Sequence, residues 1–200
     1  MIITVEREFA SGGREIGRRL AEKLGLAYLD REILLEVQKK TSLALEYVEE
    51  ASEKKPSSLL PIHYAISFHS YLDPNVEQSI EVYNAQKEII RDLAGSSNCL
   101  FIGRTSDFLL KDLNPVRIFI YSNEETKLAR CKAQNALSKL SDKDLLKQIR
   151  RIEKQRKDYY EYFTNQHWGD PHNYDLMINT AGKDISVLID ELAAFLSAKR

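Results

Sequence analysis

Short, uninterrupted apolar segments alternate with helix-period segments along this chain, and that alternation restricts the fold more than any other feature. Ile2-Ile3-Thr4-Val5, Ala27-Tyr28-Leu29, Cys99-Leu100-Phe101-Ile102, Val116-Arg117-Ile118-Phe119-Ile120-Tyr121 and residues 174–179 read as strands. Strands apolar on both faces and separated by helices belong to a parallel sheet covered on both sides. Helices are expected over 13–24, through Ile33, Leu34 and Val37, through Leu45 and Val48, and over 74–94, 123–138, 141–163 and 184–198. In the first, Ile16, Leu20 and Leu24 share a face and Gly25 follows as C-cap. Asp30 is placed to cap the second. Residues 52–61 read as loop, and 62–72 fit no single state.

Ligands of such sheets bind at the carboxyl ends of the strands. The residues expected there are Arg7, Asp30, Gly103-Arg104 and Asn179-Thr180. About 60 residues, from 31 to 95, separate the second strand from the third. Most crossovers are far shorter, so this excess reads as a helical insertion standing over the ligand edge.

The first strand leads through Arg7-Glu8-Phe9-Ala10-Ser11-Gly12-Gly13-Arg14-Glu15 into the first helix. A glycine turn at a helix start presents free backbone N–H groups to an anion, and adjacent glycines let the backbone approach it. Arg14 adds a fixed charge with a fork suited to phosphate. The standard phosphate loop is Gly, four residues, Gly, Lys, then Ser or Thr. Here no alignment supplies the lysine or the hydroxyl that usually meets Mg²⁺. The same residues also fit an ordinary strand-to-helix turn.

Further cations gather late in the chain. Lys147, Arg150, Arg151, Lys154, Arg156 and Lys157 face one acid, Glu153, which stands three residues from Arg156. Such a segment is either a solvated helix face or a surface waiting for an anion, because like charges on a few turns repel. Tyr159, Tyr160, Tyr162, Phe163 and Trp168 follow, either packing this helix onto the core or stacking a base. Arg104 is a candidate ligand contact, with Asp107 one turn on to orient it or to meet a substrate hydroxyl; the two also fit a plain surface ion pair. His63, His69, His167 and His172 lack metal-ligand spacing.

Two cysteines exclude a disulfide framework, and Cys99 falls within an apolar strand. No apolar run reaches membrane-span length, and the amino terminus is a strand rather than a signal core. The cytoplasm is the expected compartment. With a formal net charge of −1 there is no global attraction to nucleic acid or anionic lipid, so any anion site rests on local arginines.

The segments Arg7–Ile16, Tyr28-Leu29-Asp30-Arg31-Glu32, Phe101-Ile102-Gly103-Arg104, Arg156-Lys157-Asp158-Tyr159-Tyr160, Trp168-Gly169-Asp170 and 174–180 together resemble the cytidylate kinase-like family, over nearly the whole chain. Similarity to true cytidylate kinase is more distant. There an aspartate after the second strand and a Gly-Arg-Asp after the third help hold the nucleoside monophosphate. Asp30 matches the former; Gly103-Arg104 matches the latter, with Thr105 where the aspartate would be. Glu153 and Arg156 match the lid acid and the final lid arginine, and Arg150 or Arg151 matches more loosely.

The resemblance implies an α/β P-loop kinase fold: one domain over 1–200, with a five-stranded parallel sheet in the order 2-3-1-4-5 and helices on both faces. It places a helical acceptor-binding insert at 31–95 and a lid at 139–170. It implies phosphoryl transfer from ATP, or another nucleoside triphosphate, with Mg²⁺, to a small acceptor such as a nucleoside monophosphate. Ser11, Gly12, Gly13, Arg14 and Glu15 would bind donor phosphates. Arg14, Arg150, Arg151 and Arg156 would neutralise charge on the transferring group. Arg7, Asp30, Arg104 and Asp107 would hold the acceptor, and no protein ligand for the metal can be named. The rival readings are a catalytically inactive protein binding a nucleotide or phosphorylated metabolite, and an interaction protein whose basic helix docks an acidic partner or RNA. The expected partner is thus a small phosphorylated molecule, not a membrane, with self-association compatible.

Overall fold

The computed structural model describes residues 1–56, 74–96, 98–133 and 140–198. Five parallel strands, β1 (Ile2–Arg7), β2 (Ala27–Leu29), β3 (Cys99–Ile102), β4 (Val116–Tyr121) and β5 (Leu176–Asn179), form one sheet in the order β2-β3-β1-β4-β5. β1 pairs with β3 (Val5 opposite Ile102) and with β4 (Arg7 opposite Ile120). The fold and strand order are those expected from the sequence.

Period-two alternation assigns the strand side chains to two cores. Ile3, Val5, Leu100, Ile102, Ile118 and Ile120 pack beneath α1 (Gly13–Leu24) and the last helix, Ile185–Ser197. Phe101 and Cys99 point the other way, into a core shared with α2 (Arg31–Thr41), α3 (Leu45–Ala51), α4 (Pro74–Ser96) and the short α5 (Ser106–Leu109). α6 (Glu124–Ala133) and α7 (Asp142–Thr164) meet in a small third cluster, where Cys131, Leu145 and Ile149 pack with Phe9 of the glycine turn. The helix at Ile185–Ser197 is α8. Both cysteines are free and buried. Among the described residues, no helix is long and apolar enough to cross a membrane.

Within residues 31–95 the described part carries three helices, α2, α3 and α4, with non-helical stretches at 42–44 and 52–56. The ambiguous stretch 62–72 and the end of the helix expected over 123–138 lie outside the described residues. Asp30 departs from expectation. It stands at the N-cap of α2, but its side chain makes no cap hydrogen bond. Its carboxylate turns to Arg14 and the Tyr28 hydroxyl instead.

α1 lies close on the sheet because Gly17 has no side chain. A Cβ there would collide with Ile102 Cδ1 and stand 3.3 Å from Leu100 Cδ2, in the middle of the first core. Gly17→Val should therefore destabilise the fold by about 1–3 kcal/mol through overpacking. Gly95→Ala in α4, where a Cβ meets nothing within 4 Å, should be neutral or stabilising by up to about 1 kcal/mol. Urea denaturation midpoints of the two variants check both signs.

Candidate active site at the carboxyl edge

The turn after β1 is held in shape from several sides. Glu8 N–H donates to Ile120 O at 2.9 Å, and Ser11 Oγ donates to Glu8 O at 2.9 Å. Arg130, from α6, donates to Ser11 O at 2.7 Å and to Thr180 Oγ1 at 2.9 Å. Thr180, just past β5, donates its own hydroxyl to Ser11 O at 2.7 Å. Lys127 Nζ, 5% exposed, ties the turn to α7 by meeting Glu8 and Glu153, each at 2.7 Å. Two strand ends and two helices thus fix one short loop.

The chain reverses at Gly12, which has φ 85, and α1 starts at Gly13 without a side-chain cap. A Cβ at Gly12 would stand 3.1 Å from Ile185 Cδ1 as well as being strained at that φ. Among the described residues, no protein acceptor takes the backbone N–H groups of Gly12, Gly13, Arg14 or Glu15. Four donors at a helix start, all in one rigid turn, form a ready anion seat.

These residues line a cleft of about 1250 Å³. Its far wall carries Arg7, Asp30, Arg104 and Arg156. Arg14 reaches across the mouth to Asp30, Nε to Oδ2 at 2.7 Å. Deeper in, Glu53, from the segment after α3, sits among three arginines. One carboxylate oxygen lies 3.5 Å from Arg7 and 3.6 Å from Arg104; the other lies 3.4 Å from Arg156 Nε. Burial works to raise the Glu53 pKa, but Arg156, then Arg104 and Arg7, outweigh it and hold the carboxyl at about 2. Burial and the neighbouring Arg7 pull Arg156 down to about 10, so it stays charged at neutral pH. Arg156 also donates to Arg7 O at 3.3 Å and lies over the Phe9 ring.

Arg104 owes its place to backbone shape. Gly103, Arg104 and Thr105 all have positive φ, at 64, 62 and 52. This reversal sends Arg104 back toward Ser52 O, 3.1 Å away, and buries it to 7% exposure. It also carries Asp107 away from the cleft. Asp107 neither pairs with Arg104 nor lines the cleft; it accepts from the Tyr160 hydroxyl at 2.7 Å inside the core. The assignment of Asp107 to the acceptor site does not fit this position.

Among the described cations of α7, only Arg156 lines the cleft. Arg150 is exposed and bonds Glu124 of α6, and Arg151 is exposed as well. At 3.6 residues per turn, neither can share the inward face with Arg156. Glu153, three residues from Arg156, holds Lys127, while Arg156 pairs with Glu53. The aromatic cluster packs. Tyr83 stacks on Phe163 with centroids 4.0 Å apart, and Trp168 meets Phe119 edge-on while donating to Glu6 at 3.4 Å. None of Tyr159, Tyr160, Tyr162, Phe163 or Trp168 lines the large cleft.

The sequence reading did not single out Glu53, Lys127 or Arg130. Glu53 falls in a segment read as loop, which has no period to mark its direction. Lys127 and Arg130 look like any helical surface cations.

Parallel strands in this order, with the glycine turn on the central strand and arginines along the carboxyl edge, define a protein with the P-loop kinase fold. The chain belongs to the cytidylate kinase-like family, whose pattern it matches over residues 2–182. Among solved structures it is similar to an uncharacterized protein from Eubacterium ventriosum, at 22% identity and TM-score 0.71, with 98% of each chain covered. It is also similar to shikimate kinase from Bacteroides thetaiotaomicron (12%, TM-score 0.57, 98% of each chain). Another similar structure is shikimate kinase from Acinetobacter baumannii in complex with shikimate (15%, TM-score 0.55, 100% of this chain and 94% of that one). At these identities the likeness establishes the fold. Among curated proteins, no sequence relative matches the chain.

The buried acid beside the site yields a pH prediction. Asp107 is pushed up to about 7, first by burial and then by the nearby Glu6 carboxylate. A carboxyl kept protonated by the fold stabilises it fully below its ordinary value of 3.8, and that contribution is lost as pH rises through about 7. Wild-type stability should therefore fall between pH 4 and pH 7.5. Asp107→Asn should flatten this slope in urea midpoints taken across the range.

Proposed function

We propose that this protein transfers a phosphoryl group from a nucleoside triphosphate to a small acceptor bound near Asp30, Arg7 and Arg104. The observation that carries this reading is the row of unclaimed N–H groups at Gly12–Glu15, opening on the same cleft as Asp30, Arg104 and Arg156. A donor seat and an acceptor seat on one cleft are what in-line transfer requires.

The rigid turn fits the phosphates of ATP, which would supply the transferring group. Ser11, Gly12, Gly13, Arg14 and Glu15 would hold them through the backbone, with Arg14 adding charge at the mouth. Among the described residues, no group of three His, Cys, Asp or Glu stands close enough to hold a metal, so Mg²⁺ would be carried by phosphates and water. Arg156 would neutralise charge growing on the transferring group. Asp30, next to Tyr28 and Arg14, would accept a hydrogen bond from an acceptor hydroxyl. A nucleoside monophosphate is the acceptor suggested by the family, and the cytoplasm the matching compartment.

The second reading, a nucleotide-binding protein without turnover, is favoured by the missing loop lysine. The two separate in one assay: ADP release from Mg·ATP against a panel of nucleoside monophosphates and small hydroxy acids, beside ATP affinity by calorimetry. Transfer predicts acceptor-dependent ADP release. Arg156→Ala should then lower turnover by about 10²–10³-fold while ATP affinity changes less than about threefold. Tight ATP binding with no acceptor-dependent turnover would leave the second reading standing.

A further inference from the structure

Glu53 is the half-buried charge that the transfer reading does not use. Its carboxylate is surrounded by Arg7, Arg104 and Arg156, yet every contact measures 3.4–3.6 Å. Charge-assisted N–H···O⁻ bonds usually close to about 2.7–2.9 Å. Elsewhere the chain makes such bonds readily: Arg14 to Asp30 and Lys127 to Glu8 are both 2.7 Å. One glutamate therefore spans a nest cut for a larger anion. Arg104 shows the same misfit from the other side, since its buried Nε has no hydrogen-bond partner. The charges agree: three guanidiniums face one ionised carboxylate. The next acid, Glu6, is buried, is bonded by Trp168 and has its pKa raised by that burial.

We propose that Glu53 is a built-in occupant of the acceptor's anion seat, and that an acceptor binds by displacing its carboxylate from Arg7, Arg104 and Arg156 with its own anionic group. The inference rests on the reading of this end of the cleft as the acceptor end, but it concerns binding alone. Glu53 keeps three like charges together when the seat holds no ligand, and it sets a threshold that weakly charged molecules do not pass. An incoming group with more oxygens than a carboxylate can reach all three guanidiniums at normal length. Phosphate has those oxygens, whereas acetate offers only the two that Glu53 already supplies, so the two probes test the point. An internal competitor lowers apparent affinity by the fraction of molecules in which the seat is open.

The test uses inorganic phosphate and acetate as probes, with affinities from calorimetry on the full chain without ATP. Glu53→Gln should bind phosphate at least about tenfold more tightly than wild type. Glu49→Gln, which removes the same charge from the same cleft without touching the three arginines, should change affinity less than about threefold. A gain for phosphate and not for acetate assigns the seat to a phosphate-bearing acceptor; a gain for acetate alone would overturn the proposal. Removing the carboxylate strands three cations, so Glu53→Gln is also expected to melt lower without phosphate and to recover with it. If it does not fold, Glu53→Asp, shorter by one methylene, should show a smaller gain of the same sign. In wild type, the ¹³C carboxyl resonance of Glu53 should move with phosphate at the binding midpoint. Equal affinities for wild type and a folded Glu53 variant, an equal gain in Glu49→Gln, or an unmoved Glu53 resonance at saturation would each overturn the proposal. Absence of turnover with every acceptor would count against the transfer reading and leave this one intact.

Discussion

The site hangs from the pairing of β1 between β3 and β4. Because β1 is hydrogen-bonded to parallel partners on both sides, the strand ends at Arg7, Gly103 and Tyr121 come out on one edge of the sheet. The turn at 8–12 can be rigid only because that edge supplies anchors: Ile120 O for Glu8, Ser122 N–H for the Glu8 carboxylate, and Thr180 for Ser11. Gly12 then turns the chain into α1 with its first N–H groups unclaimed. A loop this well braced does not have to be ordered by a ligand, which lowers the entropy cost of binding one.

Charge is the second constraint. Arg7 and Arg104 are nearly buried, and Arg156 is largely so. Burying unpaired guanidinium groups is costly, and a shared counter-charge offsets this only in part when its contacts are long. The cluster joins four regions: the end of β1, the segment after α3, the reversal after β3, and α7. It couples the inserted helices and α7 to the sheet through one carboxylate. Lys127 makes a parallel link between the turn and α7 through Glu8 and Glu153.

The ends of the strands were legible from pattern alone. Arg7, Asp30 and Arg104 stand where strand-end logic put them, because a buried parallel strand leaves little freedom in where its last residue points. Asp107 and Arg150 were not legible. A helix of one turn after three left-handed residues points Asp107 inward, and the sequence carries no mark of that reversal. On α7, charge density drew attention to Arg150 and Arg151, but only the side facing β1 matters, and periodicity cannot show which side that is. Glu53 had no signal at all, since loop residues follow no period.

The sequence by itself determined the α/β class, the parallel sheet, the glycine turn and the family, because each rests on local pattern: apolar runs, helix-period faces, and glycines where a positive φ is required. The tertiary structure alone decided which cations share a cavity, which acid lies between them and which acid turns into the core. Those choices depend on distances between residues far apart in the chain, such as Glu53 and Arg156 or Lys127 and Glu8. Coulomb energy and desolvation act over those distances in space and leave no trace in sequence spacing.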